Sequence, residues 1–352
     1  MSLTEILAMI QPLDKGAMQS ARSRQDRLTK PQGSLGQLEA LSVHIAGITG
    51  QSQPNLDHKV VAVMAGDHGV ARQGVSAYPP DVTQQMVLNF LQGGAAINVL
   101  ARHTGARVVV VDMGVAADLP PHPDLKIKKI AYGTENIATG AAMSRSQAEQ
   151  AIRNGADVIL EEIARGLDIL ATGDMGIGNT TPSAAIAVSI TGLPVESIVG
   201  RGTGIDEAGL KRKVAAVRSA LEVNQPNPHD GLDVLAKVGG FEIAGLVGAI
   251  LAAAAHRRPV VIDGFISTAA AMIAVSLCPL AGGYLIASHA SQELGHRHML
   301  ESLQLKPLLD LELRLGEGTG AVLAMSIVEA ACKILSEMAT FDEAGVSKKS
   351  AG

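Results

Sequence analysis

The stretch Val60-Val61-Ala62-Val63-Met64-Ala65-Gly66-Asp67-His68-Gly69 decides the predicted fold. An unbroken apolar run that ends in glycine and polar residues is typical of a strand covered on both faces, as in a parallel sheet. Similar runs follow, separated by alanine-rich stretches, at residues 107–111, 168–172, 259–262 and 283–287. The pattern predicts an α/β fold with a three-layer, doubly wound, mainly parallel sheet.

The carboxyl ends of the predicted strands carry small polar residues. They are Asp67, Asp112, Asp174, Asp263 and Ser288. Ligands of open α/β sheets bind outside these strand ends, so the repetition favours a site at one edge of the sheet. Taken singly, each of these residues is better explained as a turn or capping residue.

The amino-acid composition argues against several classes of function. The 352 residues are 47 % hydrophobic with a net charge of -5, and no basic run is interleaved with aromatics. Nucleic acid is therefore not expected as a partner. The two cysteines lie in apolar stretches, which indicates reduced thiols and a cytoplasmic location. The longest uncharged apolar run, residues 243–255, is shorter than the about 20 residues of a transmembrane helix, so no membrane span is predicted.

A glycine-rich turn follows the third predicted strand, at Gly173-Asp174-Met175-Gly176-Ile177-Gly178-Asn179-Thr180-Thr181-Pro182. Backbone N–H groups at the start of the helix that follows would form an anion site. A non-functional strand–turn–helix is the alternative. The order Gly-x-x-Gly-x-Gly differs from the dinucleotide-binding G-x-G-x-x-G. A second glycine loop, residues 199–206, opens a basic helix that includes Lys213.

One carboxylate stands between glycines in Leu313-Arg314-Leu315-Gly316-Glu317-Gly318-Thr319-Gly320, just before an apolar helix. The partial positive charge of a helix N-terminus favours an ionised Glu317, which predicts a proton acceptor of low pKa. The alternative is a glutamate that only complements the helix dipole. Histidines are scattered without the spacing of a metal motif, so no metal site is predicted.

Several of these pieces together resemble one family, the nicotinate-nucleotide–dimethylbenzimidazole phosphoribosyltransferases. The matching motifs span nearly the whole chain in order: Lys30-Pro31-Gln32-Gly33-Ser34-Leu35-Gly36, Asp67-His68-Gly69-Val70, residues 176–182, Asn224-Gln225-Pro226-Asn227-Pro228, residues 233–242, Asp263-Gly264-Phe265 and residues 314–320. The resemblance implies a small helical domain from residues 1–50 together with 291–342, a large α/β nucleotide-binding domain at 51–290, a flexible tail at 343–352, and a homodimer.

The resemblance also implies an activity in the synthesis of the cobalamin lower ligand. Nicotinate mononucleotide would transfer its phosphoribosyl group to 5,6-dimethylbenzimidazole, giving α-ribazole 5′-phosphate and nicotinate with inversion at the anomeric carbon. The leaving pyridinium departs as a neutral ring, so no general acid is expected. No pyrophosphate leaves, so no Mg²⁺ is required, and no cofactor is expected. Benzimidazole, adenine and phenolic acceptors remain open.

The family match assigns roles to individual residues. Glu317 matches the catalytic base, and Asp174, which stands where many members have Glu, matches a second acid or base. Tyr78, Met86 and Leu315 are the expected base-binding residues. The residues expected to bind phosphate and nucleotide are Gly176, Gly178, Asn179, Thr180, Gly202, Thr203, Lys213, Asp263 and Ser291.

Two other functions fit parts of the sequence. A nucleotide-dependent dehydrogenase would use the same fold. This chain, however, lacks the glycine order of a dinucleotide-binding loop and an acidic residue placed to bind the ribose. A non-catalytic nucleotide-binding module would bind nicotinate mononucleotide without turnover.

Overall fold

The computed structural model describes residues 1–202 and 204–347. Its six strands are β1 (Lys59–Gly66), β2 (Arg107–Gly114), β3 (Leu125–Ile127), β4 (Ile169–Met175), β5 (Val260–Ile262) and β6 (Leu285–Ala287). The described α-helices are α1 (Leu3–Met9), α2 (Lys15–Gln25), α3 (Gln37–Thr49), α4 (Val82–Leu91), α5 (Ala96–Thr104), α6 (Arg145–Ala164), α7 (Thr180–Thr191), α8 (Val195–Ile198), α9 (Glu207–Asn224), α10 (Gly231–Val238), α11 (Phe241–Ala255), α12 (Phe265–Leu277), α13 (His296–Ser302), α14 (Thr319–Glu337) and α15 (Phe341–Ala344).

The strands form one parallel sheet in the order β3-β2-β1-β4-β5-β6. This confirms the α/β prediction and adds β3, whose three residues are too short to show a period. The strand order reverses between β1 and β4, which opens a crevice at their carboxyl ends. In register, Met64 of β1 lies opposite Asp174 of β4, so Asp174 stands at this crevice.

Helices cover both faces of the sheet. Helices α6, α11 and α12 pack on one face, and α4, α5 and α14 pack on the other. Because both faces are covered, every residue of β1 is buried, in keeping with its unbroken apolar sequence. Small side chains permit the closest contacts. In one of them, a methyl group at Gly248 of α11 would overlap the carbonyl oxygen of Ile152 in α6.

The two chain ends meet beside the sheet. Ala21 of α2, Ala46 of α3 and Leu335 of α14 share a small apolar cluster. Arg24 Nε also donates a 2.7 Å hydrogen bond to the Leu335 carbonyl oxygen. Because α14 also packs on β4 and β5, the division into two domains stays a prediction.

Helix α14 is the one helix within the described ranges that is long and apolar enough to cross a membrane. Of its most apolar window, 56 % is buried inside the protein, where it packs on α3, α5 and the sheet. A core helix has the same character, so this is weak evidence of a membrane span. The predicted tail is described up to Ser347, and it begins with the end of α15.

Candidate active site

A cavity of about 350 Å³ lies at the carboxyl ends of β4, β5 and β6. Its floor is formed by residues that follow these strands, and its rim by two further loops. The lining residues are Tyr78, Val82, Met86, Asp174, Met175, Gly176, Ile177, Asn179, Thr180, Gly202, Gly264, Phe265, Ile266, His289, Ser291, Glu293, Arg314, Leu315, Gly316 and Glu317. Ten of the predicted site residues therefore share one cavity: Tyr78, Met86, Asp174, Gly176, Asn179, Thr180, Gly202, Ser291, Leu315 and Glu317.

The loop that carries Glu317, residues 316–318, has an unusual backbone. Gly316, Glu317 and Gly318 have φ of 86°, 62° and 94°, all in the left-handed region. A glutamate adopts this conformation only where its surroundings enforce it. Gly173 of β4 allows the loop to lie directly on the sheet, and the N–H of Gly318 donates to Asp263 Oδ2 at 3.2 Å. The sheet therefore holds Glu317 in place from below.

The Glu317 carboxylate is buried, with 6 % of the residue exposed. Its Oε2 accepts a 3.2 Å hydrogen bond from the backbone N–H of Ile97, in the first turn of α5. Burial raises the pKa of Glu317, and the Ile97 hydrogen bond opposes this only in part. The expectation of a pKa lowered by its own helix was wrong. Glu317 precedes the N-cap residue Gly318, and loss of solvation outweighs the dipole.

Asp174 lies beside Glu317, since a Cβ atom on Gly316 would be 3.4 Å from Asp174 Oδ2. The same oxygen accepts a 3.0 Å hydrogen bond from Asn179 Nδ2. Burial raises the pKa of Asp174 well above its ordinary value, and the nearby Asp263 and Glu317 carboxylates add to the effect. This group therefore favours its protonated form, so the cavity floor can hold a proton next to the proposed base.

Asp263 was expected to bind nucleotide, but it does not line the cavity. Its Oδ1 and Oδ2 accept hydrogen bonds from the N–H groups of Ala321 and Gly318, at 2.9 and 3.2 Å. Burial raises the pKa of Asp263 to about 7, against these backbone donors. Since its oxygens are occupied by backbone at the start of α14, its position is that of a helix cap rather than of a ligand contact.

The side of the cavity that was expected to bind an anion is built from the turn after β4. The N-terminus of α7, at Thr180, faces the cavity with Asn179 before it. Gly176 must be glycine, because a methyl group there would overlap the carbonyl oxygen of Gly66. Gly178, with φ of 90°, packs on Ala71 and shapes the turn without lining the cavity.

Lys213 lies behind this wall, with 1 % of the residue exposed. Its Nζ donates a 3.1 Å hydrogen bond to the Gly200 carbonyl oxygen. A Cβ atom on Gly202 would lie 3.2 Å from Lys213 Nζ and 3.1 Å from Thr180 Oγ1, so all three border one corner. Burial lowers the pKa of Lys213 to about 8, while the nearby Glu293 opposes the shift. Thr203, also expected here, lies outside the described residues.

Another part of the lining is apolar. Val82 and Met86 of α4, Phe265 and Ile266 of α12, and Leu315 line it. Tyr78 and Leu315 stand at the mouth with 55 % and 57 % of their surfaces exposed. A flat heteroaromatic ring fits such a surface of aliphatic and thioether groups.

Sequence reasoning missed three polar residues of the lining: His289, Glu293 and Arg314. His289 Nδ1 lies 2.8 Å from Ser288 Oγ, and burial lowers the pKa of His289 to about 4, so its ring is neutral. Arg314 stands inside the motif that predicted Glu317, and this position was the available signal. Within residues 1–202 and 204–347, no group of three or more His, Cys, Asp or Glu side chains is arranged to hold a metal ion.

Comparison with known proteins identifies the family. A phosphoribosyltransferase family model matches residues 10–346. The chain is 63 % identical over 347 residues to the nicotinate-nucleotide–dimethylbenzimidazole phosphoribosyltransferase of Chloroflexus aggregans, covering 99 % of this chain and 98 % of the relative. It is 64 % identical over 340 residues to the enzyme of that name from Chloroflexus aurantiacus, covering 97 % of each.

Its fold superposes on the crystal structure of CobT from Thermus thermophilus with a TM-score of 0.92 at 49 % identity, over 95 % of this chain and all of that one. The family model, the two relatives and the shared fold agree with the resemblance seen in the motifs. The chain belongs to the nicotinate-nucleotide–dimethylbenzimidazole phosphoribosyltransferase family.

Proposed function

We propose that this protein transfers the phosphoribosyl group of nicotinate mononucleotide to 5,6-dimethylbenzimidazole. The products are α-ribazole 5′-phosphate and nicotinate, with inversion at the anomeric carbon. The observation that carries the proposal is the place of Glu317. Its buried carboxylate lies in one cavity with an anion-binding helix terminus and an apolar wall. A non-catalytic nucleotide-binding module is not favoured, because relatives that are over 60 % identical to this chain are named as transferases.

The phosphate and the azole acceptor bind at different sides of the cavity. The phosphate binds at the N-terminus of α7 and beside Gly202, where backbone N–H groups and Lys213 supply positive potential. The azole acceptor packs between Met86 and Leu315, near Glu317. The acceptor nitrogen then attacks the anomeric carbon while nicotinate leaves on the opposite side, which inverts the configuration.

The reaction needs only one base to balance the bonds that form and break. The azole nitrogen lone pair forms the new bond to the anomeric carbon. The electrons of the broken bond return to the pyridinium nitrogen and leave nicotinate with a neutral ring. The second azole N–H becomes acidic as the first nitrogen bonds, and Glu317 accepts its proton. The raised pKa of Glu317 suits this role, because a base of higher pKa gains more from the transfer.

The neighbouring carboxyl groups support this step in different ways. Positive charge develops on the ribose ring in the transition state, and the negative charge of Glu317 stabilises it. Asp174 sits against Gly316 and binds Asn179, so we assign it to positioning the ribose and to holding a proton. We assign Asp263 to holding the Glu317 loop through Gly318 and Ala321.

We further propose a homodimer located in the cytoplasm. Tyr78, Leu294 and Leu315 are exposed large apolar residues that line the cavity or adjoin a lining residue in sequence. A second copy that covers them would remove this surface from water. Light scattering coupled to size-exclusion chromatography tests this, and a monomer at micromolar concentration would contradict the dimer.

One assay tests the activity. The protein is mixed with nicotinate mononucleotide and dimethylbenzimidazole in the presence of a chelator, and the products are identified by mass. Equimolar nicotinate and α-ribazole 5′-phosphate are expected. The absence of both products at every pH between about 7 and 9 would refute the proposal. Parallel reactions with adenine and a phenol define the acceptor range.

A further inference from the structure

Arg314 stands at the rim of the cavity next to the second glycine loop. Its Nη1 atom is 4.0 Å from the position that a Cβ atom would take on Gly204. On the inner side of the same loop, Lys213 Nζ is 3.2 Å from the corresponding position on Gly202. The loop is therefore flanked by two cationic side chains, one buried and one exposed.

Nearby carboxylates offset the positive charge of Lys213 more than that of Arg314. Glu293 lies close to Lys213, and its Oε2 is buried without a hydrogen-bond partner within the described ranges. The positive charge of Lys213 is thus offset by a carboxylate, and burial lowers its pKa to about 8. The cavity also contains the Glu317 carboxylate. Without a further cation, this lining opposes a doubly charged phosphate.

Arg314 supplies that cation. It is the one Lys or Arg among the described lining residues. Other exposed arginines nearby are paired, as Arg201 is with Glu207 and Arg297 with Glu301. Arg314 forms no ion pair or hydrogen bond with any residue in the parts of the chain that the structure describes. A guanidinium presents several N–H donors in one plane, a geometry that matches phosphate oxygens.

We propose that Arg314 binds the 5′-phosphate of the nucleotide substrate from the solvent side, opposite Lys213. The two side chains form a clamp around the loop at Gly202 and Gly204, and Arg314 contributes its net positive charge. This assignment rests on the proposed function in taking the anion to be a nucleotide phosphate. The position of Arg314 beside Gly204, in the loop that also borders Lys213 at Gly202, favours the phosphate over the carboxylate of the nicotinate ring.

The kinetic test uses substrates with and without the phosphate. For Arg314→Gln, kcat/KM with nicotinate mononucleotide falls about 10- to 100-fold, the range of one lost charge-assisted hydrogen bond. The loss lies mainly in KM. With nicotinate riboside, which lacks the phosphate, the change stays within about 2-fold. Arg314→Lys retains part of the preference for the nucleotide. Arg297→Gln, an exposed arginine outside the lining, behaves as the wild type.

Two kinetic outcomes would overturn the assignment. An equal loss with the nucleotide and the riboside would show that Arg314 does not act on the phosphate. A variant that keeps its preference for the phosphate but no longer distinguishes nicotinate from nicotinamide mononucleotide would place the guanidinium at the ring carboxylate instead.

A binding measurement separates this inference from the proposed function. Isothermal titration of the full chain with inorganic phosphate needs no turnover. The dissociation constant for Arg314→Gln is expected to rise about 10-fold over the wild type, and the difference shrinks as salt is added because Arg314 is exposed. Identical phosphate affinity in the two proteins would refute the clamp even if the transferase assay succeeds. A weakened affinity would support it even if that assay fails.

Discussion

Gly173 lies directly beneath Glu317. A methyl group at Gly173 would overlap the carbonyl oxygen of Glu317 and come within 3.1 Å of the Gly318 nitrogen. A residue of β4 without a side chain thus sets the height of the proposed base above the sheet. The position of Glu317 depends as much on this contact as on the glycines on either side of it.

The first prediction concerns this contact. In Gly173→Ala, the added methyl group displaces the Glu317 loop, because a close-packed site cannot absorb it. We expect kcat to fall about 10²-fold, as for a base moved by about 1 Å, and stability to fall by about 1–3 kcal/mol. Steady-state kinetics and thermal unfolding measure the two effects. Gly140→Ala is the control, since nothing lies within 4 Å of its Cβ position. Full activity in Gly173→Ala would contradict the packing argument.

The second prediction concerns the fall of kcat at low pH. Only ionised Glu317 accepts a proton, so activity is lost as pH falls through its pKa. Because burial raises that pKa above 4.5, the midpoint of the loss lies above that of an exposed glutamate. The profile of kcat is measured with nicotinate riboside, which excludes the titration of the substrate phosphate. A kcat that stays constant down to pH 4.5 would contradict a raised pKa at the base.

How far the sequence predicts this site depends on what each feature requires. The strands follow from β-branched runs, and Glu317 follows from its motif, since both are local in the chain. The pKa of Glu317 is not local, because it depends on burial and on Ile97, which is distant in sequence. The burial of Asp263 and the exposure of Arg314 likewise do not follow from the local sequence, because both depend on how α14 packs against the sheet.

The third prediction concerns Lys213. Its pKa of about 8 means that its positive charge is lost as pH rises through that value. The KM for nicotinate mononucleotide should therefore rise above pH 8 in the wild type. Lys213→Arg keeps its charge at all these pH values, so its KM should be flat. Initial rates measured on both sides of this pKa test this. A wild-type KM that is independent of pH over this range would exclude Lys213 from phosphate binding.

The fourth prediction concerns the acceptor wall. Met86→Ala removes a thioether from the lining and leaves the anion side intact. The KM for dimethylbenzimidazole should rise about 10-fold, as expected for a lost apolar contact of about 1–2 kcal/mol. The KM for the nucleotide should not change. Met9→Ala, a substitution of a methionine that is 37 % exposed, is the matched control. If the nucleotide KM changes instead, the two walls have been assigned to the wrong substrates.

The most direct measurement of the central claim is single-turnover kinetics of Glu317→Gln with nicotinate mononucleotide and dimethylbenzimidazole. The amide keeps the shape of the side chain but cannot take the azole proton. We predict that the rate of α-ribazole 5′-phosphate formation falls about 10²- to 10⁴-fold, while the nucleotide dissociation constant stays within about 3-fold of the wild type. A rate close to that of the wild type would contradict the assignment of Glu317 as the base.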